Sequence, residues 1–363
     1  MQQSAADWGG DGGVASVWCS SVVLAGRARA GRPLAWLILG ALTGLVGLPQ
    51  ASQAHAAPPV FVLNSLDATV SVIDRSPWRE RTRIATGKEP HHLYMTPDEK
   101  SLIVANARAD SLTFIDPASA EVQRVVSGIA DPYHLRFSPD MKWFVTAANR
   151  LNHVDLYRWH GVQAETPFEL VKRIPTTRTP SHLFIDDASR TLYASMQDSD
   201  ELLAVDLASQ AVLWKVAVGK TPADLYLTPD ERHLLVGLTG DRFVQVWRLL
   251  GRKPPQYVGR FHSGAGAHSF RALGDGRHVL VSNRAANTIS QLDLQGWRIV
   301  AQYPAPGGPD DMELLKDGRT LLVTSRWARR LTVIDLVDRK VVAQVRVGRS
   351  PHGVWTLDHL GRR

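Results

Sequence analysis

Short apolar segments recur along residues 60–357, each about five residues long and separated by polar turns. In the clearest repeat these segments are residues 92–96, 101–105, 111–115 and 122–126. They are rich in β-branched and aromatic residues, which is typical of buried strands. The Pro97-Asp98 and Asp116-Pro117 pairs between them favour turns. The pattern therefore predicts antiparallel units of four strands.

This unit returns seven times, in steps of 42 to 48 residues. The units begin near residues 86, 128, 176, 219, 263, 305 and 348. We assign the long step to an insertion near residues 160–167, and the fourth unit has a smaller insertion near residues 251–255. A repeat of this length built from short strands is typical of a β-propeller blade. We therefore predict an all-β fold, a seven-bladed β-propeller of four-stranded antiparallel blades.

The seventh unit stops after one strand, at residues 353–357, near the C-terminus. Three further strand patterns precede the first full unit, at residues 60–64, 69–73 and 81–85. Joining these N-terminal strands to the C-terminal strand completes the last blade, closes the ring and removes exposed sheet edges. We therefore predict a single propeller domain over residues 57–363.

The N-terminal segment, residues 1–56, has a different pattern. Three arginines within residues 27–32 precede an apolar run at residues 34–48, and small residues follow as far as Ala56. This order is typical of a secretory signal peptide, and the run is short for a membrane span. We expect cleavage near Ala56 and a periplasmic or secreted mature protein without a membrane span.

Composition excludes several kinds of site. The single cysteine, Cys19, precedes the apolar run, so the mature chain has no disulfide, thiolate metal site or Cys-x-x-Cys-His haem attachment. The net charge is +7, and removing residues 1–56 takes away three Arg and two Asp and leaves +6. No Lys/Arg block is dense enough for a nucleic-acid arm, so we expect no specific nucleic-acid partner. We also expect a monomer.

Several strand ends resemble a known repeat. They are Ile-Val-Ala-Asn at residues 103–106, Val-Leu-Val-Ser-Asn at residues 279–283 and Thr-Val-Ile-Asp-Leu at residues 332–336. These motifs resemble the YVTN-repeat β-propeller family, over almost all of residues 60–357. The resemblance implies a WD40-like propeller, but it implies little about function, because members of the family bind diverse ligands. The chain is more loosely similar to the propellers of periplasmic nitrite reductases and their haem-handling relatives, which implies a metal ion or haem as candidate cofactors.

One repeat position carries histidine or aspartate in six of the seven units, where the family often has Gly or Ala. The residues at this position are His92, His134, His182, Asp224, His268, Asp311 and, in the last unit, Gly353. Because the position begins the innermost strand, we expect these side chains to form a ring at the channel mouth. The ends of the second strands bring Arg284 and Arg326 to the same face. The opposite face receives the Pro-Asp turns and the insertions, and we expect it to be structural.

Two interpretations of this ring are open. Imidazoles and carboxylates bind transition metals or polar ligands, and paired arginines suit a carboxylate or phosphate. Alternatively, the polar side chains fill a solvated channel mouth, and Arg–Asp ion pairs tie the blades together. The predicted ligand-binding residues are His92, His134, His268, Arg284, Asp310, Asp311, Arg326, Trp327 and His352, with His91 nearby. The predicted metal ligands are His92, His134 and His182.

Catalytic motifs are absent from the sequence: it contains no Gly-x-Ser-x-Gly elbow, His-Glu-x-x-His or P-loop. We predict no catalytic residue and expect an exported propeller that binds a small ligand, a cofactor or a periplasmic protein partner at the channel-mouth face. The alternative is an enzyme on the same fold, either a lactonase-like hydrolase or a metal- or haem-dependent oxidoreductase. A third alternative is a pure interaction scaffold.

Overall fold

The computed structural model describes residues 57–361, and within this range the fold is all-β. Twenty-eight strands form seven four-stranded antiparallel sheets, with two short 3-10 helices at Ala107–Ala109 and Gln197–Ser199. This confirms the predicted seven-bladed β-propeller. The predicted signal peptide at residues 1–56 lies outside the described residues. No helix within residues 57–361 is long and apolar enough to span a membrane.

Each blade runs from an inner strand at the channel to an outer strand at the rim. The inner strands are β4 (Pro90–Met95), β8 (Pro132–Phe137), β12 (Pro180–Ile185), β16 (Pro222–Leu227), β20 (Ala267–Ala272), β24 (Pro309–Leu314) and β28 (Pro351–Thr356). The second strands are β1 (Val60–Asn64), β5 (Leu102–Asn106), β9 (Trp143–Ala148), β13 (Thr191–Met196), β17 (His233–Leu238), β21 (His278–Asn283) and β25 (Thr320–Ser325). The third strands are β2 (Thr69–Arg75), β6 (Ser111–Ile115), β10 (His153–Trp159), β14 (Glu201–Asp206), β18 (Phe243–Leu250), β22 (Thr288–Asp293) and β26 (Arg330–Asp335). The outer strands are β3 (Trp78–Ala85), β7 (Val122–Ser127), β11 (Phe168–Pro175), β15 (Ala211–Ala217), β19 (Lys253–His262), β23 (Arg298–Pro304) and β27 (Lys340–Arg346).

The two ends of the described chain meet in one blade, as predicted. The C-terminal strand β28 pairs antiparallel with β1, with Val60 opposite Thr356 and Phe61 opposite Trp355. The sheet order is β28-β1-β2-β3, so the N-terminal strands supply the second, third and outer positions. The ring is thereby closed by main-chain hydrogen bonds between the two ends of the propeller.

Both predicted insertions lie within blades. Residues 160–167 connect β10 to β11, and Arg124 of the preceding blade donates hydrogen bonds to the carbonyls of Val162 and Ala164. The second insertion lengthens the hairpin between the third and outer strands of its blade. There β18 continues to Leu250, and β19 begins at Lys253. The insertions therefore lengthen the outer parts of their blades without breaking the ring.

The core consists of apolar layers between neighbouring blades. Seven clusters of buried residues join the seven pairs of adjacent sheets. In one of them, Val145 and Leu156 of one blade pack with Leu183 and Leu192 of the next. Burial of this apolar surface is the main source of stability, at roughly 25 cal/mol per Å².

A β-bulge near the start of each inner strand positions the side chains of the channel. In β4, Pro90 is opposite Asn106 and Leu93 is opposite Val104, so His91 and His92 together face one residue of β5. The pairing shifts at the equivalent place in all seven inner strands. A bulge inserts one extra residue and changes the direction of the side chains around it. Consequently the rings of His91 and His92 both lie buried at the centre, 4.8 Å apart between centroids.

Candidate functional site

The bulges arrange the side chains at the start of the inner strands in two rows. The first row contains His91, Tyr133, Ser181, Ala223, His268, Asp310 and His352. The second row contains His92, His134, His182, Asp224, Ser269, Asp311 and Gly353. The sequence analysis assigned His268 to the repeat position that forms the second row, which is wrong by one residue. In β20, Ala267 is opposite Asn283 and Phe270 is opposite Val281, so the second-row residue there is Ser269.

Six histidines from five blades form a continuous cluster across the channel. His91 lies 3.7 Å from His352 and 3.8 Å from Tyr133 between ring centroids, and it stacks on the tyrosine. His92 lies 4.3 Å from His134 and 4.6 Å from His352. The remaining neighbours in the cluster are the pairs His92–His182, His134–His182, His182–His268 and His268–His352, at 5.1, 5.1, 5.3 and 5.8 Å. We call these six residues the histidine cluster.

Asp310 is fully buried beside the histidine cluster and is held by two arginines. Arg284 donates from Nε to Asp310 Oδ1 at 2.6 Å and also from Nη2, and Arg326 donates from Nη1 to Oδ2 at 3.0 Å. His268 Nδ1 lies 3.1 Å from Oδ1. Burial alone would raise the pKa of the Asp310 carboxyl, but Arg284, His268 and Arg326 outweigh it and hold the pKa well below its usual range.

Arg284 and Arg326 therefore act as ties between blades in this structure. Arg284 follows β21 of one blade, whereas Asp310 and Arg326 belong to the next. Arg284 also donates from Nη2 to His268 Nε2 at 2.7 Å. Both guanidinium groups are engaged by Asp310, and their side chains are 20% and 29% exposed. The predicted contact of these two arginines with a ligand stays a prediction. The other interpretation, in which Arg–Asp ion pairs tie the blades together, is supported by the contacts with Asp310.

Burial disfavours the charged form of the imidazoles in the histidine cluster. Burial lowers the pKa of His91, His92, His134, His268 and His352 well below the ordinary value, and it also lowers the pKa of His182. Within residues 57–361, several buried ring nitrogens have no hydrogen-bond partner. In the histidine cluster they are His91 Nδ1, His92 Nε2, His134 Nδ1, both nitrogens of His352, and His268 Nδ1, which nevertheless lies 3.1 Å from Asp310 Oδ1.

Two sets of ligating atoms within the described range lie close enough to hold a metal ion. They are His91, His92 and His352, and His268, Asp310 and His352, with the ligand atoms of each set within 4.8 Å of one another. The predicted triad of His92, His134 and His182 is buried and its rings are 4.3 to 5.1 Å apart. It is not one of these two sets, because its ring nitrogens do not converge as closely.

A cavity of about 540 Å³ occupies the channel on one side of the histidine cluster. Its inner end is lined by histidines of the cluster and by Asp224 and Asp311, and its walls include Tyr94, Phe184 and Tyr226. It extends to the exposed Pro139, in a turn between first and second strands. The cavity lies on the side of the Pro-Asp turns, whereas we expected the site at the opposite face, and that expectation stays a prediction.

Two carboxylates in the cavity wall are already engaged by main-chain amides. Asp224 accepts from the amides of Leu225 and Phe270, at 2.9 and 3.0 Å. Asp311 accepts from the amide of Met312 at 2.9 Å and from the Ser269 hydroxyl at 3.2 Å. These hydrogen bonds fix the carboxylates at the level of the second row.

Sequence reasoning missed a buried ion pair in the inner strands, between the histidine cluster and the channel rim. Arg271 donates from Nε to Glu313 Oε1 at 2.7 Å, and the two side chains are 2% and 0% exposed. Arg271 also donates from Nη2 to the carbonyl of Leu360 at 2.6 Å, so it holds the C-terminal segment at the channel rim. Charged residues in the interior of otherwise apolar inner strands were the signal that could have revealed this pair.

Trp327 lies on the face opposite the cavity. Its side chain is among the exposed large hydrophobic groups, at 60%, and its ring covers Gly308. A β-carbon at Gly308 would lie 2.5 Å from the ring, and φ there is +73°. Glycine is therefore required at this position by the close approach and by the left-handed backbone.

Solved structures with the same fold have low sequence identity to the chain. The periplasmic gluconolactonase PpgL of Pseudomonas aeruginosa is similar with a TM-score of 0.70 and 17% identity, over 84% of this chain and 99% of that chain. A functionally unknown protein of Desulfotomaculum acetoxidans has a TM-score of 0.69 and 14% identity, over 82% and 98%. The dihydro-heme d1 dehydrogenase NirN has a TM-score of 0.61 and 16% identity, over 86% and 78%. Identities this low establish the fold alone.

The family is established by sequence. No curated protein matches the chain. Residues 35–362, however, match the YNCE-like beta-propeller family, and this range includes every blade. The chain belongs to the YNCE-like beta-propeller family.

Proposed function

We propose that the protein is an exported propeller with YVTN-type repeats that binds a small polar ligand in its central channel, without covalent chemistry of its own. The observation that carries the proposal is the cavity of about 540 Å³, whose inner end is lined by buried imidazoles. Cavities of roughly 300–1,000 Å³ with few polar groups among apolar walls are the usual form of a small-molecule site.

The side chains at the inner end define the chemistry of this ligand. A neutral imidazole offers one N–H donor and one acceptor nitrogen, and His92 and His134 each have a buried nitrogen without a hydrogen-bond partner among residues 57–361. A buried polar atom of this kind costs about 1–3 kcal/mol when its hydrogen bond is not made. A ligand that both donates and accepts hydrogen bonds would remove this cost, while Phe184 and Tyr226 contact its apolar surface.

An enzyme on the same channel is the second candidate. Its support is the combination of imidazoles and the carboxylates of Asp224 and Asp311 around one cavity, since such groups are suited to general acid–base chemistry. PpgL is described as a gluconolactonase, so glucono-δ-lactone is a suitable probe of this alternative. Hydrolysis above the spontaneous rate, lost in His134→Phe, would favour the enzyme over the binding protein.

Native mass spectrometry of protein exported by its own host tests the proposal. We expect a bound small molecule in the wild type and its loss in His134→Trp, because the larger ring occupies the inner end of the cavity. His160→Trp is a matched control, since the His160 side chain is 46% exposed in the outer insertion. The same spectra test export, since we expect a chain that starts near Ala57.

The result that would contradict the proposal is equally direct. The proposal is wrong if the wild-type protein carries no bound mass. It is also wrong if a folded His134→Trp variant keeps the bound mass. Far-UV circular dichroism and thermal melting of each variant separate loss of the site from loss of the fold.

A further inference from the structure

Three histidines of the cluster bring their ring nitrogens together at the inner end of the channel. His91 and His92 are the two residues of the bulge in β4, and His352 belongs to the adjacent inner strand β28. Their ring centroids are 3.7 to 4.8 Å apart, and one nitrogen of each lies within 4.8 Å of the other two. All three side chains are buried, at 9% exposure or less.

Four of the six ring nitrogens of these three histidines lack the partners that buried imidazoles normally have. His91 Nδ1, His92 Nε2 and both nitrogens of His352 are buried without a hydrogen bond among the described residues. Buried side-chain polar atoms are bonded in the large majority of cases, and an ion is one of the recognised explanations for exceptions. A neutral imidazole nitrogen is among the commonest metal ligands in proteins.

We propose that His91, His92 and His352 bind one divalent first-row transition metal ion at the inner end of the channel. Imidazole suits zinc, copper, nickel, cobalt and iron, and three protein ligands with an open fourth position are typical of reactive zinc sites. His92 and His352 also line the cavity, which gives the ion a route from solvent. The site is additional to the organic ligand proposed above and does not require it.

The other histidine sets are less suitable for a cation. The set of His268, Asp310 and His352 contains a carboxylate, but Arg284 and Arg326 already neutralise it and donate to both of its oxygens. A metal there would displace charge-assisted hydrogen bonds, which are the strong ones. The set of His92, His134 and His182 does not bring one nitrogen of each ring within 4.8 Å of the other two.

Titration of untagged, chelator-treated protein with Co²⁺ and Zn²⁺ tests this site. We expect one ion per chain by calorimetry, a Co²⁺ visible spectrum of a low-coordinate nitrogen site, and a rise in melting temperature because the ion binds the folded state. His91→Phe and His352→Phe should each weaken binding by about 100-fold or more, since loss of groups that only support ligands already costs 10–100-fold. Phenylalanine at position 91 keeps the ring that stacks on Tyr133.

His134→Phe and His182→Phe are matched controls, because they remove equally buried imidazoles of the same cluster. Both should bind Co²⁺ with wild-type stoichiometry and affinity within about threefold. If folded His134→Phe loses the ion while His91→Phe keeps it, the ion belongs to the triad with His182, and our assignment is wrong. A folded wild type that binds no ion also overturns the inference.

The metal test and the ligand test fail independently. If chelator-treated protein binds Co²⁺ but the protein carries no small molecule from its host, the metal proposal holds and the ligand proposal is wrong. If the protein carries a bound small molecule but takes up no Co²⁺, the ligand proposal holds and the metal proposal is wrong.

Discussion

Asp310 shows how single residues of the channel constrain one another. Its carboxylate is inaccessible to water, and it keeps its charge because Arg284 and Arg326 contact both oxygens. Removing one partner of a buried ion pair leaves an uncompensated charge, which costs far more than the pair contributes net. The arginines of this face are therefore structural groups first, whatever they bind in addition.

Alanine substitutions of the two arginines should destabilise the protein unequally. Arg284 contacts Asp310 through two nitrogens and Arg326 through one, so we expect Arg284→Ala to lower the free energy of unfolding by about 3–5 kcal/mol. Arg326→Ala should cost about half as much, because Arg284 still neutralises the carboxylate. Urea unfolding measures both changes.

An exposed ion pair between an arginine and a glutamate provides the control for this comparison. Arg108 lies 3.8 Å from Glu89 with a 64% exposed side chain, and Arg108→Ala should cost less than about 1 kcal/mol. If Arg284→Ala is as mild as Arg108→Ala, the pairing with Asp310 contributes little and the guanidinium is free for a ligand.

At the scale of elements, several turns between third and outer strands are stabilised by an aspartate in the same way. Asp116, Asp206, Asp293 and Asp335 each end or follow a third strand and accept hydrogen bonds from amides of the turn. Asp206 accepts from the amide and the hydroxyl of Ser209, both at 2.7 Å. These bonds, helped by Arg252, lower the pKa of Asp206 to about 2. The turn thus favours a charged carboxylate.

Asp206→Asn should therefore show a stability loss that depends on pH. The pKa of Asp206 is lower in the folded state than its ordinary value of 3.8, so its contribution is present above pH 4 and is lost as pH falls towards 2. We expect the variant to lose about 1 kcal/mol at pH 7, and a smaller amount at pH 3. Urea unfolding at the two pH values measures this, with the exposed Glu121→Gln as a control. A loss that does not change between pH 7 and pH 3 would contradict the assignment.

The inner strands show where sequence reasoning reached its limit. The period of the repeat and the alternation of apolar residues predicted every blade, because strand burial and turn chemistry are local properties. The bulge is not local: it depends on how Pro90 and Leu93 pair with β5, and a one-residue shift changes the row of a side chain. For this reason His268 was assigned to the wrong row, and the approach of His91 to His352 was not predicted.

At the scale of the whole molecule, ring closure and the channel are consequences of the same arrangement. The blade that contains both ends of the described propeller packs against its two neighbours through buried clusters that include Val60, Phe61 and Leu63. His352 lies in the C-terminal strand of that blade, so the position of one proposed metal ligand depends on the closure. The sequence predicted this closure from the missing strands, but it could not predict the side of the channel on which a cavity remains.

Deleting residues 58–85 should abolish cooperative unfolding. The deletion removes β1, β2 and β3, leaves β28 without a partner and exposes the apolar faces of two neighbouring blades. Exposed edge strands template association, so we expect aggregation and the loss of a single melting transition. A circular permutant is the control, with residue 361 joined to residue 57 by a flexible linker and new termini between residues 160 and 167. It keeps every strand, and it should remain monomeric and melt cooperatively. A truncated protein that stays monomeric with an unchanged melting temperature would show that the ring does not need its seventh sheet.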